Sequence, residues 1–316
     1  MPDKIILVTR KTRLEELVER FNTRPQARFY IEHSGGNFDW YEREHETYYA
    51  ALSHLRKELA LLAKLQVIER SFLPNFIFAE DDLVVTIGID GLVVNTAKYL
   101  HGQPLVAVNP DREHIDGVLL PFDVSGAPAV VRKVIKGQAA FREITMAEAC
   151  LNDGQTLLAF NDLFIGVKSH ISARYRIQIE GRQEDHSSSG IIVSTGAGST
   201  GWLSSLFNMA DGLWKQFGDL DNGAAAAAGR LARPGMDWET DRLIYVVREP
   251  FASKTSGATI VCGSITRQAP LVLESHMPEG GVIFSDGIEA DYLAFNSGAV
   301  AKIGLAEKKT RLVIDG

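Results

Sequence analysis

The stretch from Leu83 to Asn109, LVVTIGIDGLVVNTAKYLHGQPLVAVN, constrains the fold most, because it reads as strand, tight turn, helix and strand. Leu83, Val84 and Val85 form a short apolar run of the kind found in a strand covered on both faces, and Leu105 to Val108 form a second. Two such strands joined through a helix are the unit of an α/β layer. The turn between the first strand and the helix is Gly88-Ile89-Asp90-Gly91. Glycines there permit positive φ and close approach to the backbone, and a helix start offers unpaired N–H groups and a positive end, a combination that suits phosphate. Asp90 has two readings of equal weight: a base that takes a proton from a hydroxyl attacking a phosphoryl group, or a plain N-cap.

Upstream, Ile5 to Val8 reads as a first buried strand, and Leu14, Leu17, Val18 and Phe21 have the spacing of a helix packed back on it. Arg28 to Ile31 reads as a second strand, before Ser34-Gly35-Gly36-Asn37 breaks the chain. A long helix is expected from about Asp39 to Leu65, with Leu52, Leu55, Leu59 and Leu62 along one face. That stripe is a core-packing face; coiled-coil pairing is the alternative, and the stripe is short for it.

After about Phe122 the pattern changes to short, often β-branched segments separated by turn residues: Val130 to Val134, Leu157 to Phe160, Phe164 to Val167, Tyr175 to Ile179 and Gly190 to Ser194. The run Arg174 to Glu180 alternates strictly and predicts a strand with one wet face. Leu243 to Val247, Thr259 to Cys262, Leu271 to Leu273, Val282 to Phe284 and Arg311 to Ile314 extend the β-rich, antiparallel half. Asp221 to Gly235, with its alanine run, reads as a mobile low-complexity connection.

Two further places carry chemistry. Phe160-Asn161-Asp162 puts an amide and a carboxylate at the edge of two apolar segments. They suit an adenine edge and ribose hydroxyls, or else they form an Asx-type turn closing a hairpin. Ser194 to Trp202, STGAGSTGW, contains Gly196, Gly198 and Gly201 in GxGxxG spacing, with Asp219 and Asp221 near the distance expected of a ribose-binding acid. Its surroundings oppose a Rossmann reading, because the preceding strand follows an antiparallel hairpin and no second parallel strand comes next. Asp286-Gly287 reads as an ordinary hairpin turn.

Bulk properties narrow the class. A chain of 316 residues with 45% apolar content can bury a full core and suits two domains. A net charge of −7 without a basic block argues against a nucleic-acid surface. Cys150 and Cys262 suggest neither a disulfide framework nor a zinc site, and both are expected to be small buried apolar residues. The eight histidines are scattered, which leaves His-based metal or triad chemistry without support. The apolar run Ile5 to Val8 is far too short for a signal core or a membrane span, so the expectation is a cytoplasmic protein with no membrane partner.

In order along the chain, GIDG, FNDLFIG and STGAGSTGW resemble the signature of the NAD kinase family, which is a GGDG turn, an Asn-Glu pair and a TPTGSTAY-like loop. AVNPDREHIDGVLLPF, SSGIIVSTGAGSTGW and VREPFASKT look most like the mitochondrial-type branch and its bacterial relatives. The resemblance covers roughly Asp82 to Ile314. It implies a Rossmann-like N-terminal α/β domain over residues 1–122, a β-sandwich-like NAD-binding domain over 123–290, and C-terminal strands over 291–316 that return to the first domain. It implies ATP with Mg2+ as phosphate donor, NAD as acceptor, and a homodimer. Asp90 would be the base toward the adenosine 2′-hydroxyl, and Gly88 and Gly91 would hold phosphates. Asn161 and Asp162 would bind the adenosine part of NAD, and Thr200, Trp202 and Ser205, with Gly198 and Ser199 in the same loop, would surround the adenine. This chain departs from the pattern at Ile89 and Leu92 in the turn, at Asp162, and at Ser189. A β-branched Ile89 would be costly if the turn required positive φ there. Two other activities fit the same residues: nucleotide binding without efficient transfer, and a kinase acting on a sugar, nucleoside or lipid head group.

Overall fold

The computed structural model describes residues 4–217 and 235–315. They form two compact units, one from residues 1–143 and 310–316, the other from residues 144–309.

The first unit is an α/β layer. Strand β1 (Lys4–Thr9) is followed by three helices, α1 (Arg13–Phe21), α2 (Arg24–His33) and α3 (Phe38–Ala60), then by β2 (Lys64–Glu69), β3 (Asp82–Ile87), α4 (Asp90–Ala97), β4 (Pro104–Asn109), β5 (Phe122–Asp123) and α5 (Ala127–Ile135). The strands pair in parallel: β2 with β1, β1 with β3, β3 with β4, and β4 with β5. All six residues of β3 are buried, as a strand covered on both faces requires. Leu55 and Leu59 of α3 pack with Ile5, Leu7, Val85 and Val106, so the leucine stripe belongs to the core.

Four elements differ from the sequence reading; one is the strand expected over Thr259 to Cys262, which lies at Cys262–Ile265 instead. Residues 28–31 lie in α2 and not in a strand. Thr23 caps α2, Pro25 sits in its first turn, and Ala27 and Ile31, four apart, are its buried pair. Residues 130–134 lie in α5, whose buried residues Ala127, Val130, Val131 and Val134 follow helical spacing. The β-propensity of valine misleads there, because the period decides. The long helix ends at Ala60, and Lys64–Glu69 becomes β2.

The second unit is β-rich. After β6 (Ala140–Leu151) come β7 (Thr156–Ala159), β8 (Asp162–Val167), β9 (Ala173–Ile179), β10 (Arg182–Ser188), β11 (Ile191–Ser194) and α6 (Trp202–Phe217). Strands β12 (Leu243–Val247), β13 (Cys262–Ile265), β14 (Leu271–Ser275), β15 (Gly281–Ser285), β16 (Ile288–Ala294) and β17 (Val300–Ile314) follow. One antiparallel sheet has the order β13-β12-β11-β8-β15-β16. A second antiparallel group runs β10-β9-β14 and on to the first residues of β17. Leu163, Ile165 and Val193 of the first sheet share one core with Tyr175, Ile177 and Leu273 of the second group, which makes a β-sandwich-like unit. Strand β9 alternates as expected, burying Ala173, Tyr175, Ile177 and Ile179. The far end of β17 lies in the first unit, where Arg311 and Leu312 pair in parallel with Pro104 and Leu105 of β4.

Cys150 is half-buried and Cys262 is exposed, both as free thiols; burial therefore fails for Cys262, which sits on the edge strand β13. Among the described residues no helix is long and apolar enough to cross a membrane. Apart from Gly235, the low-complexity connection lies outside the described residues, as do Asp219 and Asp221.

Candidate functional site

In the first unit, the Gly88–Gly91 turn joins β3 to α4. Ile89 is the N-cap, with φ −110 and ψ 166, and makes no side-chain cap. Neither Gly88 nor Gly91 has positive φ, so the turn is not the left-handed one that the glycines suggest, and Ile89 occupies ordinary extended backbone. Space is tight at Gly88 instead: a Cβ there would lie 3.1 Å from Leu92 Cδ2 and 3.3 Å from Arg10 Cδ, so these side chains would have to give by a few tenths of an ångström. Asp90 is the first helical residue and not the N-cap. Its Oδ1 accepts from Leu119 N at 2.9 Å and its Oδ2 from Val118 N at 3.2 Å. The carboxylate thus ties the loop after β4 to the start of α4. A carboxylate has about four acceptor positions, so two remain after these bonds.

In the second unit, residues 160–162 and the Ser194–Trp202 loop are bound to each other. Thr195 N donates to Asn161 O at 2.9 Å, Thr195 Oγ1 donates to Phe160 O at 2.6 Å, and Gly198 N donates to Thr195 Oγ1 at 3.1 Å. A Cβ on Gly198 would drive into the carbonyl of Asn161, so this glycine is what lets the loops touch. None of Gly196, Gly198 and Gly201 has positive φ, and β11 before them is antiparallel to β8 and β12, which agrees with rejecting a Rossmann reading.

In sequence Asp286 reads only as a turn residue. It does form a hairpin turn with Gly287 between β15 and β16, at φ 56 and 72. In addition its carboxylate accepts from the backbone N of Phe160 at 3.1 Å, Asn161 at 2.7 Å and Asp162 at 3.2 Å. Asn161 is held through its backbone on both sides, while its side-chain amide has no hydrogen-bond partner among the described residues. No Asx turn forms, and β7 and β8 are not hairpin partners: β7 pairs with β6, and β8 with β11 and β15. An amide fixed in place and left unpaired is available to a ligand.

Asp162 sits beside it with Oδ1 buried and unpartnered. Burial pushes its carboxyl up to about 7, a hydrogen bond with Ser194 opposes this, and the charge of Asp286 adds to it. Because the folded value is raised, the stabilising contribution is full below the unfolded value of about 4 and is lost as pH rises through about 7. Asp162→Asn should therefore flatten the pH dependence of the melting temperature between pH 5 and 8. It should stabilise the protein at pH 8 by up to about 4 kcal/mol, since each tenfold difference in proton affinity between folded and unfolded chain is worth about 1.4 kcal/mol. A variant that keeps the parental pH profile contradicts this assignment.

The remaining loop residues are less deeply placed. Thr200 is exposed, Ser199 Oγ donates to Gly196 O at 2.7 Å, and Ser205 Oγ donates to Gly201 O at 3.4 Å. The Trp202 ring is stacked on Phe164 at 5.9 Å between centroids, with the Arg248 guanidinium 5.5 Å from its centroid. Ser189 Oγ donates to Glu249 Oε2. Among the described residues no group of three or more His, Cys, Asp or Glu side chains could hold a metal ion.

No protein-family model matches the chain. In sequence it is similar to the NAD kinase of Heliobacterium modesticaldum, with 33% identity over 132 residues, 38% of this chain and 44% of that one. It is similar also to the NAD kinase of Caldanaerobacter subterraneus, with 31% identity over 137 residues, 40% of this chain and 47% of that one. The matched part is thus less than half the length of these curated relatives. Two solved structures match nearly all of the chain. An Archaeoglobus fulgidus NAD kinase in complex with ATP aligns with a TM-score of 0.55 and 14% identity, over 98% of this chain and 92% of that one. The yeast NADH kinase complexed with NADH aligns with a TM-score of 0.57 and 15% identity, over 100% and 84%. The chain is similar to NAD kinases over part of its sequence and shares their fold over nearly all of its length. The NAD-kinase fold accounts for an α/β unit followed by a β-sandwich-like unit, with the last strand completing the first sheet.

Proposed function

We propose that the protein is a NAD kinase, transferring the γ-phosphate of ATP to the adenosine 2′-hydroxyl of NAD. The observation that carries the reading is Asn161, whose backbone is clamped by Asp286 and Thr195 and whose amide is left unpaired. Such an arrangement suits a purine edge or ribose hydroxyl better than a structural turn. The relatives named above support it: the Archaeoglobus structure carries ATP and the yeast structure NADH.

In this reading Asn161 and Asp162 bind the adenosine of NAD, with Gly198, Ser199, Thr200, Trp202 and Ser205 forming the rest of its surroundings. The backbone of Gly88 and Gly91 and the start of α4 receive donor phosphates. Asp90 takes the proton of the 2′-hydroxyl as its oxygen attacks the γ-phosphorus, and ADP leaves with the electrons of the broken P–O bond. Magnesium enters as part of the donor substrate and offsets phosphate charge. A homodimer belongs to the same proposal, and light scattering measures it.

The test is direct. Purified protein given ATP, Mg2+ and NAD forms NADP, detected with an NADP-specific dehydrogenase; absence of NADP while other alcohols are phosphorylated contradicts the acceptor. A second reading, binding without transfer, draws on the two backbone N–H groups already held by Asp90. It predicts NAD binding by calorimetry with no turnover.

Ile89 does not decide between the two, since its backbone is relaxed. Ile89→Gly should change the rate of NADP formation by less than about threefold and lower stability slightly, because glycine adds freedom to the unfolded chain. A large gain in rate would contradict the observed turn.

A further inference from the structure

The second unit contains an open polar cavity with about 830 Å3 of empty space including its mouth, within the range of about 300–1,000 Å3 usual for small-molecule sites. Arg174 of β9, His186 and Ser187 of β10, and Phe251 and Thr255 of the loop after β12 line it. That loop is latched across β10: Phe251 N donates to Ser187 O at 2.8 Å, and Gly257 N donates to Asp185 O at 2.9 Å. The cavity stands apart from the Asn161 loop. Ser187 comes just before β11, whereas Ser194, which opens the loop that meets Asn161, is at the far end of that strand, about 10 Å further on.

Three polar side chains in these walls have unused hydrogen-bonding capacity. The Arg174 guanidinium and Ser187 Oγ have no partner among the described residues. The His186 side chain is fully buried, and its Nε2 lies 2.7 Å from Glu184 Oε2. In the neutral ring Nε2 therefore carries the hydrogen, and Nδ1 keeps a lone pair. That Nδ1 is buried without a partner among the described residues. Glu184 cannot turn to serve it, because its oxygens also accept from Thr259 N at 2.9 Å, Ile260 N at 3.1 Å and Thr259 Oγ1 at 2.8 Å. A buried acceptor left open beside a polar cavity is costly and marks a place for a ligand donor. Thr255 Oγ1 has a 3.4 Å contact with Ser253 Oγ, which is long for two hydroxyl groups and leaves its hydrogen free to move to a better acceptor.

We infer that this cavity binds a hydroxylated monocarboxylate, the class of sugar acids and small hydroxy acids, with Arg174 taking the carboxylate and His186 Nδ1, Ser187 and Thr255 taking hydroxyl groups. Guanidinium and carboxylate match in planar, paired fashion. Local charge selects a single carboxylate over a dianion such as phosphate. Asp185 accepts from Arg176 Nε at 2.9 Å and Nη2 at 3.3 Å, and Glu274 Oε2 lies 3.6 Å from Arg176 Nη1. Two carboxylates thus share one guanidinium on the face of β9 that carries Arg174. His276 Nε2, at 3.9 Å from Glu274 Oε1, is turned to the same carboxylate. A second negative charge on the ligand would meet this excess and find no cation of its own. Phe251, which is exposed, offers an apolar wall to the carbon skeleton. The assignment goes beyond the kinase reading and does not rest on it, since none of these residues belongs to the nucleotide site proposed above.

The experiment uses the whole chain and calorimetry with four probes, gluconate, acetate, glucose and NAD, on the parent, Arg174→Gln and Ser187→Ala. The parent should bind gluconate with a Kd of about 1 mM or tighter, and acetate and glucose at least about tenfold more weakly, because each offers only half of the recognised groups. Arg174 is exposed and Ser187 half-buried, so melting temperatures within about 2 °C of the parent confirm that the variants are folded. Arg174→Gln should raise the Kd for gluconate about tenfold or more and Ser187→Ala about threefold, with the Kd for NAD within about twofold in both. A parent that binds no gluconate, one that binds acetate or glucose as tightly, or an Arg174→Gln protein with parental affinity overturns the inference. Competition between NAD and gluconate overturns it as well, because the cavity would then be part of the nucleotide site. The kinase reading fails separately: a protein that binds gluconate through Arg174 and forms no NADP keeps the cavity and loses the activity. One that forms NADP without binding gluconate does the reverse.

Discussion

Asp90→Asn is expected to slow NADP formation about a thousandfold while leaving the Kd for NAD within about twofold, the loss typical of a missing general base. The same substitution should cost about 1–3 kcal/mol of stability, because an amide has one acceptor oxygen for the two N–H groups of Val118 and Leu119 that the carboxylate now serves. The two effects separate cleanly. If Asp90 only fastens the loop after β4, the rate falls in proportion to the folded fraction and recovers at low temperature. If it also removes the hydroxyl proton, the rate remains down about a thousandfold in fully folded protein. Stopped turnover with retained NAD binding is therefore the informative result, and a folded Asp90→Asn protein with a parental rate rejects the mechanism.

Gly198→Ala should be the most damaging conservative change in the second unit. The added methyl enters the carbonyl of Asn161, which is backbone and cannot turn aside. Either the Ser194–Trp202 loop lifts or residues 160–162 shift, breaking the bonds between Thr195 and the carbonyls of Phe160 and Asn161. We expect a stability loss of about 3 kcal/mol, at the upper end for an overpacked site, and NAD affinity down about tenfold or more. Gly212→Ala in α6 is the matched control: a Cβ there meets no atom within 4 Å, and alanine should stabilise the helix by about 0.5–1 kcal/mol. Differential scanning calorimetry and NAD titration of the pair measure both effects. A Gly198→Ala protein as stable as Gly212→Ala would contradict the close approach of the loops.

Much of this architecture is legible in the chain, and the failures have physical causes. Buried parallel strands announce themselves as uninterrupted apolar runs, which is why β1, β3 and β4 stand where the runs stand. The alternating β9 and the five-residue β12 are equally plain. Helix α5 is hidden because valine favours strands, although Ala127, Val130, Val131 and Val134 have helical spacing. Strand β2 merges in sequence with the preceding helix, since only Ile68 of its six residues is buried and its pattern carries no clear period. The GIDG turn is legible as a strand-to-helix junction, but its glycines suggest a left-handed backbone that does not occur. Their spacing could not show that Gly88 makes room for Arg10 and Leu92.

Distance in sequence hides the rest of the candidate site. Asp286 looks like any Asp-Gly turn residue, and its hold on Phe160, Asn161 and Asp162 spans more than a hundred residues of chain. Trp202 reads from its loop as an adenine neighbour, yet Phe164 already stacks on its ring, a contact set by β8 and not by the loop.

The central claim is that this chain phosphorylates NAD at the adenosine 2′-hydroxyl. Incubating the purified protein with Mg2+, γ-labelled ATP and equal NAD, nucleoside and sugar acceptors, then separating the products and locating the new phosphate by 31P NMR, tests it most directly. The predicted result is label in the 2′-phosphate of NADP and in no other product. Label in another alcohol, or none in any acceptor by a protein that binds both ATP and NAD, would contradict it.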